Sequence, residues 1–249
     1  MTRPVLSARG LEKKFGAVVA ATAIVIEVTA GQKVSLIGSN GAGKTTFVNM
    51  VTGYLTPDAG SIELDGESVV GLPPRTIARK GICRSFQIPQ LCVELTVIEN
   101  MLVACAASEE GLAFWRGPRD DGRRERAIIL LERFGIAREA DRPVSELPGG
   151  MRKLLDIGMA LARKPRILLL DEPTSGVSAE EKITAMDRVM EAVAGEAGTV
   201  VFVEHDMDIV QAYADRVIAF YSGRVIADGV PGEVLRAAEV RRYVTGGFA

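Results

Sequence analysis

Residues 38–45 read Gly38-Ser39-Asn40-Gly41-Ala42-Gly43-Lys44-Thr45, and Thr46 follows directly. This is the spacing G-x-x-x-x-G-K-[ST], which builds a cradle for phosphate. Glycines let the backbone curl so that successive N–H groups point inward at phosphate oxygens, and a helix N-terminus beyond them adds a positive dipole end. Lys44 can reach the β- and γ-phosphates, and the Thr45 hydroxyl can ligate Mg²⁺. A second stretch supplies what such a cradle lacks. The apolar run Ile167-Leu168-Leu169-Leu170 ends in Asp171 and Glu172. Asp171 would hold Mg²⁺ through water, and Glu172 would polarise an attacking water as general base. The third candidate is His205, the single histidine of the chain, in TVVFVEHDMD at 199–208. It could be a catalytic group, ligate a metal or simply close a strand as a polar residue. No partner ligands for a metal stand near it in the sequence.

These residues need elements that hold them. The cradle follows the β-branched run KVSLI and opens the helix-like TTFVNMVTGYL, which stops near Gly53 and Pro57. Upstream, VLSARGLEKKFG and ATAIVIEV read as strands, with a turn at Ala30-Gly31. GSIELDGESV reads as a hairpin around Asp65-Gly66. From about Thr76 to Leu161 the pattern is helical, with TVIENMLVACAA, RRERAIILLERFGI and MRKLLDIGMALARK separated in part by the charged connector 116–127. The connector reads as a solvated loop. RILLLDEP is a strand buried on both faces of a parallel sheet, EEKITAMDRVMEAVAG a helix, TVVFVEH a second buried strand and DMDIVQAYA a short helix. His205 thus ends a strand, and in open α/β sheets the strand ends face the ligand crevice. DRVIAFYSGRVIADG is a hairpin turning at Ser222-Gly223, and PGEVLRAAEVRRYV is a closing helix. The layout is an α/β core interrupted by a helical insert.

Composition narrows the class. A chain of 249 residues, 47 % hydrophobic and 25 % charged, can build one domain with an inserted subdomain. The expected division is a core of residues 1–87 and 165–249 with a helical subdomain at 88–164. A formal net charge of −2 provides no global basic field, so no nucleic-acid partner is expected. The three cysteines, Cys83, Cys92 and Cys105, lack zinc-site spacing and read as buried free thiols. The N-terminus carries no signal-peptide core, and GAVVAATAIVI is too short to cross a bilayer. A cytoplasmic protein that meets a membrane only through partners is expected.

In this order the motifs resemble those of the ATP-binding cassette (ABC) ATPases, over nearly the whole chain. The resemblance implies a P-loop nucleotide triphosphatase (RecA-like) core with an antiparallel β subdomain and an inserted α-helical subdomain, binding ATP with Mg²⁺. It gives Phe15, in KKFG, the place of the aromatic that stacks on adenine. Gln87, in RSFQIPQ, falls where a glutamine senses magnesium and the water. LPGGM at 147–151 resembles the signature loop, with Leu147, Gly149 and Gly150 facing the nucleotide of an opposite subunit. SGVS at 175–178 resembles the loop that meets that subunit, and VEHD makes His205 a switch histidine on the γ-phosphate. Two positions depart from the pattern. Pro148 stands where the signature has serine, with Met151 where glutamine is usual, and Ser178 stands where aspartate is usual. The lost serine hydrogen bond should weaken the site by roughly 1.5–3 kcal/mol without abolishing it.

The stretch GLPPRTIARKGICRSFQIPQLCVELTVIENMLVA, from residue 71, resembles the ATPases of branched-chain and hydrophobic amino-acid importers. That resemblance implies a second cassette, identical or different, separate integral membrane permease subunits and a solute-binding protein. It also implies a position on the inner face of the cell membrane. The alternatives are the ATPase of a lipid or lipopolysaccharide exporter, and a soluble cassette protein outside transport.

Overall fold

The computed structural model describes residues 3–108, 121–178, 180–196 and 198–246. These fall into two compact units, Met1–Lys80 with Thr199–Ala249, and Gly81–Gly198. In the first unit, β1 (Leu6–Phe15) and β2 (Val18–Val28) form an antiparallel hairpin. Leu6, Ala8 and Leu11 on β1 and Ile24, Ile26 and Val28 on β2 are buried, the alternation of a sheet with one face on a core. β3 (Lys33–Gly38) is buried along nearly its full length and leads to α1 (Lys44–Val51). The helix stops at Thr52, followed by Gly53 at φ 78°, as its sequence foretold. β4 (Ala59–Leu64) and β5 (Glu67–Ser68) complete an antiparallel sheet in the order β2-β1-β4-β5. Asp65 and Gly66 both have positive φ, 50° and 83°, the turn that matches strand twist in a two-residue hairpin. α2 (Pro74–Lys80) ends this segment.

The second unit opens with β6 (Ile82–Ser85), which pairs in parallel with β7 (Ile167–Asp171) from Ile82↔Ile167 to Ser85↔Leu170. This strand lies inside the stretch expected to be helical from about Thr76. Four residues, Ile-Cys-Arg-Ser, carry too little periodicity to announce a strand, and only a partner some 80 residues away creates it. α3 (Val97–Ala107) begins with a capping box, in which the Thr96 side chain accepts from the Glu99 N–H and the Glu99 carboxylate accepts from the Thr96 N–H. α4 (Asp121–Arg133) takes in the second half of the charged connector; residues 116–120 lie outside the described residues. The solvated-loop reading therefore fails for 121–127. Arg123 is buried and Arg126 donates to the Ala162 carbonyl, so this part of the run is structural. α5 (Gly149–Leu161) packs closely on its neighbours, and a Cβ at Gly158 would lie 3.3 Å from the Phe134 ring. α6 (Lys182–Glu196) closes the unit.

The chain then returns to the first unit with β8 (Val200–Val203), α7 (Met207–Tyr213), β9 (Arg216–Tyr221) and β10 (Arg224–Gly229). β3 pairs in parallel with both β8 and β9, and β9 with β10 antiparallel. Their turn, Ser222-Gly223, has φ of 47° and 76°. The expected single closing helix is two, α8 (Pro231–Val234) and α9 (Ala238–Tyr243). Cys83 and Cys105 are buried as expected, but Cys92 is exposed. Among the described residues no helix is long and apolar enough to cross a membrane.

Candidate functional site

In the first unit, the turn from β3 into α1 is held from outside by backbone. Gly223 N–H donates to the Ala42 carbonyl at 2.9 Å, and Thr22 N–H to the Gly223 carbonyl at 2.8 Å. Gly43 caps α1 at φ 108° and ψ −3°, with no side-chain cap bond. A Cβ on it would stand 2.9 Å from the Ala20 carbonyl and 3.2 Å from Gly223 Cα, so only glycine fits. Lys44 is 5 % exposed and its ammonium donates to the Gly38 and Ser39 carbonyls at 2.6 and 3.1 Å. A buried lysine at the start of an uncapped helix sets a strongly positive potential there, one suited to an anion. Ser39, Asn40, Gly41 and Thr45 are exposed, Thr46 is half-buried, and Ala42 is buried.

His205 and Phe15 lie in the same unit. The register Leu36↔Val203 puts the C-terminal ends of β3 and β8 side by side, so His205, two residues beyond Val203, leaves the sheet at the end from which the glycine-rich loop departs. His205 is exposed, and its N–H bonds the carboxylate of buried Glu204 at 3.1 Å. Phe15 ends β1 opposite Val18 and is 51 % exposed. Among the described residues no group of three or more His, Cys, Asp or Glu that could hold a metal ion is found.

The second unit gathers the carboxylates. Glu172 follows β7 with φ 49°, a left-handed conformation strained for a side chain of this length. Its Oε2 accepts from Gln87 Nε2 at 3.0 Å. Asp171 accepts from Arg84 Nη2 at 2.6 Å, and both side chains are nearly buried at 7 % and 8 % exposure. The Asp171 carbonyl accepts from the ammonium of Lys153 on α5 at 2.5 Å, and the same ammonium reaches the Phe86 carbonyl at 2.7 Å. Asp156, also on α5, accepts from the Phe86 and Gln90 N–H groups at 3.0 and 3.1 Å. Burial raises the Asp156 carboxyl above its ordinary range, against those two hydrogen bonds.

The loop 147–151 starts α5. Leu147 is buried, and Pro148 is the N-cap at φ −57°, ψ 152° with no side-chain cap bond, ahead of Gly149 and Gly150. A Cβ on Gly150 would be 3.3 Å from Val177, so this loop and the loop 175–178 touch. Ser178 donates to Glu181 at 2.8 Å, and its carbonyl accepts from the Glu181 and Lys182 N–H groups at 3.0 and 3.1 Å.

A family model described as "ABC transporter" matches residues 22–175, from β2 through the loop beyond Glu172. The chain belongs to the ABC transporter family. It is 37 % identical over 243 residues to the high-affinity branched-chain amino acid transport ATP-binding protein BraF of Pseudomonas aeruginosa, covering 94 % of each chain. It is 36 % identical over 253 residues to LivG of Escherichia coli K12, a protein of the same description, covering 99 % of each. Among solved structures it is similar to the ADP conformation of an ATP-binding cassette of an ABC transporter. That match has 32 % identity and a TM-score of 0.85, and covers 97 % of this chain and 98 % of that one.

The chain is therefore an ABC ATPase, an α/β P-loop fold with an antiparallel sheet, parallel strands and helices. Its cassette contains three polar residues that the motif reading did not single out, Arg84, Lys153 and Asp156. Arg84 lies on the strand that was missed. Lys153 and Asp156 carried a signal that could have been used, since they are charges one turn apart on a helix otherwise rich in buried Leu, Ile and Ala.

Proposed function

We propose that this cassette is the ATP-hydrolysing subunit of an importer for branched-chain or other hydrophobic amino acids, acting with separate permease subunits and a solute-binding protein. The near end-to-end likeness to BraF and LivG supports this reading above its rivals. The cassette would sit on the cytoplasmic face of the membrane, held there by the permeases.

The roles follow from chemistry. Lys44 and the N–H groups of 39–46 bind the β- and γ-phosphates, Phe15 offers a ring face for adenine, and His205 a donor for the γ-phosphate. Mg²⁺ takes hard oxygen donors, and Thr45 and Asp171 each carry one. When bound, it supplies charge neutralisation on the phosphates. Glu172 takes a proton from the attacking water, and Gln87 orients that water through the 3.0 Å contact with the carboxylate. Leu147, Gly149 and Gly150 form the start of α5, where backbone N–H groups can meet the nucleotide of a second cassette. The helical part at 88–164 carries that loop. The single observation that best supports hydrolysis is the Gln87–Glu172 pair, with Glu172 held at positive φ.

The test is light scattering on Glu172→Gln with and without ATP. Doubling of the 26.6 kDa mass with ATP is expected for a self-paired cassette. A monomer that binds ATP points to a different partner cassette. Failure to bind ATP overturns the reading.

A further inference from the structure

We propose that Lys153 and Asp156 on α5 are positioning residues that set Gln87 against Glu172, so that the helix opened by the Gly149-Gly150 loop fixes the water-activating pair. The inference rests on the hydrolytic reading above. The segment that bears Gln87 is pinned at both ends by one helix turn. Asp156 takes the N–H groups of Phe86 and Gln90, and Lys153 takes the carbonyl of Phe86. Lys153 also takes the carbonyl of Asp171, the residue directly before Glu172. Donor and acceptor of the 3.0 Å Gln87–Glu172 bond are thus tied to the same ammonium.

Both side chains are nearly inaccessible, at 2 % for Lys153 and 6 % for Asp156. Charges at such positions contribute little net stability, and well-packed apolar residues often replace them without loss. What apolar residues cannot do is hold two N–H groups and two carbonyls in fixed directions. Gln87 itself is exposed, so its placement depends on these main-chain ties rather than on packing. A shift of the α5 N-terminus would move Gln87 and Glu172 together, which gives the signature loop a direct line to the water-activating carboxylate inside one unit.

The test compares the full chain with Lys153→Met, Asp156→Asn and the control Arg152→Met. Arg152 lies on the same helix but bonds the Val144 and Ser145 carbonyls instead. Two quantities are read: steady-state ATP hydrolysis, and amide hydrogen exchange at Phe86 and Gln90. Asp156→Asn cannot accept from both N–H groups through one carbonyl oxygen as the carboxylate does. Exchange at those amides should rise about tenfold or more, while Arg152→Met leaves it unchanged. Lys153→Met and Asp156→Asn should lower kcat about tenfold or more with the KM for ATP within about twofold. Unchanged exchange in Asp156→Asn, or unchanged kcat in Lys153→Met, overturns the proposal. A wild-type chain that binds and hydrolyses no ATP instead overturns the hydrolytic reading, and the exchange result separates the two failures.

Discussion

The glycine-rich loop allows a comparison in which one glycine carries two penalties and another carries one. Gly41 has φ 78°, and a Cβ there meets nothing within 4 Å. Gly41→Ala should therefore cost only the left-handed conformation, about 1–2 kcal/mol. Gly43 has φ 108°, and its added Cβ would lie 2.9 Å from the Ala20 carbonyl and 3.2 Å from Gly223 Cα. Both neighbours are backbone, and the Gly223 N–H already holds the Ala42 carbonyl at 2.9 Å. Relief requires moving β2 and the β9–β10 turn away from the loop they support. Overpacking of this kind adds about 1–3 kcal/mol. For a chain of this size about 1 kcal/mol lowers Tm by roughly 2–4 °C. Gly41→Ala should then melt roughly 5 °C and Gly43→Ala roughly 10 °C below wild type. Calorimetry measures the midpoints, and a fluorescent ATP analogue measures affinity, which should fall further for Gly43→Ala because Lys44 is its immediate neighbour. If the two variants melt within about 2 °C of each other, the loop is not braced by Ala20 and Gly223, and the account of Gly43 is wrong.

Arg84→Met removes the ion-pair partner of the nearly buried Asp171, which should cost about 3–5 kcal/mol by calorimetry; added Mg²⁺ should raise Tm more in the variant than in wild type, and no difference would count against a metal role for Asp171. Iodoacetamide at pH 8 should label Cys92 first, as read by mass spectrometry, with Cys83 reacting only after unfolding, because burial pushes its thiol up to about 11. The same raised value means that the Cys83 contribution to stability is complete below about pH 9 and is lost as pH rises toward about 11, which urea melts across that window would register. Pro148→Ser should leave Tm within about 2 °C of wild type and raise ATP hydrolysis about tenfold at the site this loop serves; no gain would remove the hydroxyl from the list of what this cassette lacks.

The residues that announce themselves in the sequence do so through local rules. The glycine-rich loop needs positive φ and close backbone approach, which only its own residues can provide. The turns at Asp65-Gly66 and Ser222-Gly223 and the Thr96–Glu99 box are equally local. What was missed is non-local. β6 exists because β7 lies beside it, and Arg84 matters because that pairing brings it to Asp171. Arg123, read as part of a solvated run, is buried by the helices around it. Gln87 is legible in its motif, but the path of the loop over 86–90 is not, because its order comes from Lys153 and Asp156 some 65 residues later.

The two departures from the family pattern, Pro148 and Ser178, both stand just ahead of helices, and helix physics explains why the fold tolerates them. Ser178 braces the turn that leads into α6, since its hydroxyl bonds Glu181 and its carbonyl takes the Glu181 and Lys182 N–H groups. An aspartate there could accept in that turn but could not donate to Glu181, and its carboxylate would face another. Pro148 sits at φ −57°, ψ 152°, the geometry proline is built for. A serine in its place could cap α5 for about 0.5–2 kcal/mol. It would also release about 0.4–1 kcal/mol of unfolded-state restriction that proline supplies. The two terms nearly cancel. Stability therefore gives no reason to prefer serine at 148, and the residue that belongs there is decided by what the loop must touch rather than by what the fold requires.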